Sequence, residues 1–287
     1  MAATILYFLQ FSLFLASTIL SYHIPTVSAF SRCISGLKVT KSLSRRPIPI
    51  RMSATEAATV NPLDAMGLPG PILLGSASFT RKLILKEMGI PFVKCVRPID
   101  ERNLGDRSRD APSDLVVTLA KAKMEHLVRE IQAGNCKEEL PHDGNEWIVL
   151  TGDQVVTCNG KILEKPDTIE EAREFVASYR AHAPSTVGSC VLTHLPTGIQ
   201  VSGVDTATIY FSASIPTDLV DRLVELGEPI LSCAGGLMIE HPLTKEHLQR
   251  IDGTEDSVMG LSKNLVLRLL QELKTKLDDY VFVPSAM

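Results

Sequence analysis

The sequence predicts an α/β fold built on a mixed, elongated β-sheet flanked by helices. Three observations carry that expectation. Strand-like and helix-like segments alternate early, hairpin signals dominate the middle, and the chain closes on a long helical stretch. A purely doubly wound sheet would need crossover helices between its strands, which the hairpins replace.

The elements follow in order. Pro71, Ile72, Leu73, Leu74 and Gly75 form a short apolar run ended by glycine, a buried strand. Ser78 can cap a helix in which Leu83, Ile84 and Met88 recur at helical spacing until Gly89 stops it. Residues 92–96 read as a strand, and the charged, turn-rich residues 97–112 as a surface loop. Residues 115–131 are a strongly periodic helix stopped near Gly134, and residues 135–144 a polar insertion. Residues 147–150 and 155–158 are strands around a polar Thr151-Gly152-Asp153-Gln154 centre, with Asn159-Gly160 as a hairpin turn. Thr168, with Glu171 three residues on, makes a capping box for a helix reaching about Tyr179. Residues 187–195 and 199–211, the second run broken at Gly203, pair as strands joined at Pro196-Thr197-Gly198. A helix over 216–226 ends at Gly227 and a strand covers 247–251. The Gly253-Thr254-Glu255-Asp256 loop follows, and the closing helix spans 261–277.

The 287 residues are 45% hydrophobic and 22% charged, a balance that excludes collagen-like, disordered and polytopic membrane classes. The formal net charge of −4 hides a split: residues 1–55 hold six bases and no acid, leaving 23 bases against 33 acids, a balance of −10, for the rest. An acidic body argues against a nucleic-acid binder, because phosphate affinity of that kind needs clustered Lys and Arg over a surface. In the leader, an apolar run over residues 5–20 followed by Val27-Ser28-Ala29 fits a signal peptide, residues 1–29; a single anchoring helix is the other reading. The Ser-, Arg- and Lys-rich stretch after Phe30 has transit-peptide chemistry and is expected to be disordered over residues 30–66, with the globular body at 67–287. The Ser28-Ala29-Phe30-Ser31 junction resembles that of bipartite presequences that deliver proteins to complex plastids, with the secretory pathway or cytoplasm as alternatives. No stable membrane insertion of the mature form is expected. The six cysteines are scattered without metal-ligand spacing and are expected to be reduced.

Chemistry concentrates in four places. A strand, then Gly75-Ser76-Ala77-Ser78-Phe79-Thr80-Arg81-Lys82, then a helix, suits phosphate: small residues admit the backbone, hydroxyls and helix amides donate, and Arg81 and Lys82 supply charge. The same residues also make an ordinary helix start. Asp153 lies between two apolar strands, where it is paired, metal-bound or catalytic, or else a turn residue. Asp100-Glu101 ends a strand-loop and Lys165-Pro166 follows the hairpin. Separated carboxylates beside a basic phosphate loop suit Mg²⁺- or Mn²⁺-assisted attack on a phosphoryl group.

These residues resemble the Maf family of nucleoside triphosphate pyrophosphatases. The ordered matches run from Ile72-Leu73-Leu74-Gly75-Ser76-Ala77-Ser78 with Arg81-Lys82, through Gly89-Ile90-Pro91-Phe92, Ile99-Asp100-Glu101 and Leu119-Ala120-Lys121-Ala122-Lys123. They continue with Gly152-Asp153-Gln154-Val155-Val156, Lys165-Pro166 and Cys233-Ala234-Gly235 to Val258-Met259-Gly260-Leu261. The resemblance implies a Maf/inosine-triphosphatase-like fold, a homodimer, and cleavage of a triphosphate between its α- and β-phosphates with a divalent metal. It implies Asp153 as proton acceptor, Ser78, Arg81, Lys82, Lys123 and Lys165 as phosphate ligands, and Glu101 with Asp153 as metal ligands. The specificity positions carry Thr80, Gln154 and Glu240; the last two resemble the branch acting on 7-methyl-GTP, since a carboxylate can accept hydrogen bonds from guanine. That branch carries Pro-Trp where this chain has Phe79-Thr80, so the stacking surface differs, and Phe79 is its candidate replacement. A dTTP/UTP pyrophosphatase, an inosine-triphosphatase-like activity and a non-hydrolysing nucleotide-binding regulator are the alternatives. Retained Asp153 and Lys165 argue against the regulator, since binding alone needs no general base.

Overall fold

The computed structural model describes residues 61–140 and 146–282. The signal-like segment, the transit-like stretch up to residue 60 and residues 141–145 of the polar insertion lie outside these. The described residues begin at Asn61, ahead of the expected start of the body at residue 67. Helix α1, Pro62–Met66, starts on Asn61, whose side chain accepts from the Leu63 N–H, and Pro62 presets the first turn. Leu63 is fully buried against the closing helix, an apolar anchor that docks this helix on the core.

Strand β1, Ile72–Leu74, leads into α2, Phe79–Glu87, and strand β2, Phe92–Lys94. Helix α3, Pro112–Gln132, begins three residues earlier than periodicity suggests because Pro112 suits the first helical position, where an N–H has no partner anyway. Then come β3, Trp147–Thr151; β4, Gln154–Cys158; β5, Lys161–Leu163; and α4, Ile169–Ser178. The long hairpin consists of β6, Ser185–Leu195, and β7, Gln200–Phe211. Gly203 does not break β7. It admits the closing helix instead, since a Cβ there would lie 2.7 Å from Leu265 Cδ1. Helix α5 is shorter than expected, Leu219–Glu225, and is followed by α6, Pro242–Lys245, and β8, Leu248–Asp252. The expected Gly-Thr-Glu-Asp loop contains the start of a helical turn, α7, Glu255–Met259, with its acids at the N-terminal end. The closing helix α8 covers Lys263–Phe282.

The eight described strands form one mixed sheet, with β6 at its centre. Parallel β2 and β1 lie beside β3, which is antiparallel to the upper half of β6; β4 and β5 lie along its lower half. On the other edge of β6 runs β7, then β8. β3 and β4 keep a single register along β6: Thr151 faces Val191 and Gln154 faces Gly188. The Thr-Gly-Asp-Gln centre is therefore extended, not a turn. On its outer edge β1 pairs only up to Leu150 and β5 only from Val156. The gap between these branches leaves residues 152–155 without a partner strand on that edge, beyond the carboxyl ends of parallel strands, where open α/β sheets place their ligands.

Helix α3 covers one face of the sheet, packing Leu119, Met124 and Leu127 on Val149, Val155 and Val191. The other face is divided between a core under α1, α2 and α8 and one under α4 and α5. Four of the five described cysteines are buried, and all five are free thiols. Among the described residues no helix is long and apolar enough to cross a membrane.

Candidate active site

Strand alternation fixes which side chains can meet. Val149, Thr151, Asp153 and Val155 point toward α3, whereas Leu150, Gln154 and Val156 point to the opposite face. Asp153 thus lands on the helix carrying Lys123. The Lys123 ammonium lies 2.5 Å from Asp153 Oδ1 and 3.0 Å from Glu101 Oε2, bridging the two carboxylates. All three groups are partly shielded, with side-chain exposures of 12% for Asp153, 20% for Lys123 and 41% for Glu101. Asp153 Oδ2 carries no protein hydrogen bond among the described residues and is the oxygen left to face a ligand. The Glu101 loop is itself tied down: Arg107 donates to the Glu101 carbonyl at 3.2 Å and pairs with Glu164 beyond β5.

Ser78 caps α2, accepting from the Arg81 N–H at 3.3 Å, and its hydroxyl is 2.9 Å from that of Thr80. Thr80, expected to read the base, is thus joined to the loop expected to bind phosphate. Arg81 is buried and reaches under the sheet. Its Nη1 donates to the Gly152 carbonyl at 2.8 Å and to Ser76 Oγ at 3.2 Å, and its Nε to the Gly260 carbonyl at 2.9 Å. Burial pulls its pKa down, and the nearby carboxylates of Asp153 and Glu101 oppose that. The guanidinium is therefore a clamp between the phosphate loop, the Asp153 path and the closing loop, with Nη2 left for a ligand. Gly152 is required beside it, because a Cβ would stand 2.5 Å from the Ser189 carbonyl oxygen.

The remaining expected residues lie apart from this cluster. Lys82, next to Arg81 on the helix, extends over the exposed Phe79 ring, 6.0 Å from its centroid. Gln154 donates to the Val258 carbonyl at 2.8 Å on the face away from Asp153, so it holds the closing loop. Glu240 is half-buried, and desolvation raises its pKa, reinforced by Glu255 and Glu228. Cys233 lies within electrostatic reach of both Glu240, which raises its pKa, and the exposed Lys165, which lowers it. The structure so separates an ion-pair cluster around Lys123 from a second polar group around Glu240. Sequence reasoning missed Thr151, Ser189 and Arg107. Thr151 was legible, being a hydroxyl on the same strand face as Asp153, but Arg107 was one charge among many in a loop.

Among the described residues no three His, Cys, Asp or Glu side chains converge into a metal cage. The Glu101 and Asp153 oxygens do converge on one ammonium, which suits a cation that takes its other ligands from phosphate and water, the habit of Mg²⁺. Arg81 and Lys123 balance Asp153 and Glu101 in formal charge, so a bound triphosphate calls for additional cations.

The model of the family of Maf-like proteins matches residues 71–273. The 7-methyl-GTP pyrophosphatase of Dictyostelium discoideum is 32% identical over 203 residues, 71% of this chain and 97% of that protein. A nucleoside triphosphate pyrophosphatase of Corynebacterium diphtheriae is 31% identical over 69% of this chain and 92% of its own length. A dTTP/UTP pyrophosphatase of Salinibacter ruber is 28% identical over 79% of this chain and its own full length.

Proposed function

This chain belongs to the Maf family, and on that premise we propose that it hydrolyses a nucleoside triphosphate to the monophosphate and pyrophosphate, with Mg²⁺ or Mn²⁺ as cofactor. The observation that carries the reading is the Lys123 ammonium gripped between Asp153 and Glu101 beside the gap between the two branches of the sheet. Two carboxylates are brought together by a cation, beside a helix N-terminus whose amides suit phosphate.

Glu101 and Asp153 would hold the divalent cation, and when bound it neutralises phosphate charge. The chain's own residues supply the rest. Lys123, with Arg81 Nη2 and Ser78, holds the phosphates at the cluster, and Lys82 and Lys165 reach toward them from outside it. Asp153 Oδ2 accepts a proton from the attacking water, the oxygen of that water bonds to phosphorus, and the bridge between the α- and β-phosphates breaks. Pyrophosphate leaves with the bridging electron pair.

The base proposed is a methylated guanine, as in 7-methyl-GTP. Glu240 supports it, because a carboxylate can accept from guanine's ring N–H and amino group, and a positively charged base would favour its ionised form. The printed activity of the Dictyostelium relative points the same way, and the Salinibacter relative makes dTTP and UTP the second candidates. The test is a pyrophosphate-release screen of the purified protein with Mg²⁺ or Mn²⁺ over 7-methyl-GTP, dTTP, UTP, inosine triphosphate and the common nucleotides. Highest kcat/KM on 7-methyl-GTP supports the reading; no release from any of them overturns it. A homodimer, tested by sedimentation, and plastid delivery by the bipartite leader, tested by fusing residues 1–60 to a fluorescent reporter, complete the proposal.

A further inference from the structure

Two buried hydroxyls flank Asp153 where the sheet meets α3. Thr151 is fully buried, and its Oγ1 donates to the Ala120 carbonyl at 2.8 Å. Ser189, the cross-strand neighbour of Asp153, is 2% exposed, and its Oγ donates to the Val116 carbonyl at 2.8 Å. Both acceptors are mid-helix carbonyls one turn apart, on the stripe of α3 that faces the sheet, and Lys123 follows three residues after Ala120 on that stripe. A helical carbonyl already accepts an N–H four residues on; its second lone pair takes the hydroxyl. Ser189 also holds Asp153 from the other side. The Asp153 N–H donates to Ser189 Oγ at 3.1 Å, and the Ser189 N–H to the Asp153 carbonyl at 2.8 Å.

We infer that Thr151 and Ser189 are positioning residues whose hydroxyls fix α3 along the sheet and thereby set Lys123 against Asp153. The inference rests on the catalytic reading above for its effect on turnover. The surrounding contact is otherwise aliphatic, formed by Leu115, Leu119, Val149, Val155, Val187 and Val191. Such a surface resists separation but specifies axial position weakly, whereas a directional hydroxyl–carbonyl bond specifies it closely. Valine at 151 would fill the same volume and leave the burial unchanged. Its cost is therefore a loss of register rather than of core.

The experiment compares wild type, Thr151→Val, Thr151→Ser and Ser189→Ala by two readouts. One is the rate of Lys123 acetylation by a soluble acylating reagent, read by mass spectrometry against the exposed Lys121. The other is the split of kcat from KM in pyrophosphate release. Thr151→Val is expected to raise relative Lys123 labelling several-fold and lower kcat about tenfold with KM within twofold, the scale expected for misplacement of about an ångström or less. Ser189→Ala should act in the same direction, and Thr151→Ser should restore both values. In a Lys123→Met background, Thr151→Val should cost no further turnover. Wild-type labelling and kcat in folded Thr151→Val and Ser189→Ala would overturn the inference, as would an undiminished Thr151→Val effect without Lys123. If the wild type releases no pyrophosphate, the proposed reaction fails. The labelling result then decides the positioning alone.

Discussion

Replacing Arg81 by Met separates two roles that the sequence merges. Motif position makes Arg81 a phosphate ligand, whereas its hydrogen bonds make it a clamp across three segments distant in sequence. Arg81→Met keeps the aliphatic stem but strands the Gly152 and Gly260 carbonyls. A buried acceptor left without its partner costs about 1–3 kcal/mol, so the two together cost roughly 2–6 kcal/mol. Removing the cost of burying the guanidinium offsets part of this, and a net loss of about 3 kcal/mol is expected. For a body of this size that lowers the melting temperature by roughly 6–12 °C. The assay is urea unfolding followed by circular dichroism, with the thermal midpoint as a second reading. A change below about 0.5 kcal/mol, within the range of ordinary surface substitutions, would refute the clamp, especially if turnover were still lost. Arg81 would then act on substrate alone.

Other expectations follow from single contacts. Gly152→Ala drives a Cβ to 2.5 Å from the Ser189 carbonyl oxygen, so it should cost about 3 kcal/mol or more and abolish turnover; a stable, active variant would contradict the extended Asp153 path. Burial lifts the Glu240 carboxyl above its ordinary value, so its contribution to stability is intact in acid and is lost as pH rises through the raised value. Glu240→Gln should therefore be more stable than wild type near pH 7.5, the two converging by about pH 3, below the ordinary carboxyl range, in urea titrations; a destabilised variant at neutral pH would reverse the sign. Burial pushes the Cys233 thiol up to about 11, so at pH 8 it should carry about a hundredfold less thiolate than an unperturbed cysteine and alkylate correspondingly slowly with iodoacetamide.

Much of the fold was legible because periodicity and turn chemistry are local. The Ser78 and Thr168 caps are helix starts in the structure, with side-chain bonds to the Arg81 and Glu171 amides. What was not legible depends on distant packing. Gly203 resembles a strand breaker until Leu265 is seen against it, and Asp153 sits in turn-like company until β6 runs past it in unbroken register. The short helices α1 and α7 lack the length for a periodic signal. In the site, motif order brought Asp153, Lys123 and Glu101 forward together, and the fold joins them. Motif order could not reveal that Arg81 spends its donors on backbone carbonyls, nor that Gln154 turns to the opposite face.

If Asp153 is the proton acceptor for triphosphate cleavage, pyrophosphate release from 7-methyl-GTP by wild type and Asp153→Asn under saturating Mg²⁺ or Mn²⁺ will show it. Clear wild-type turnover is expected, with a fall in kcat of about 10²-fold or more in a variant that unfolds at the wild-type urea concentration, the size of contribution expected of a general base. Turnover by Asp153→Asn within a few-fold of wild type would contradict it.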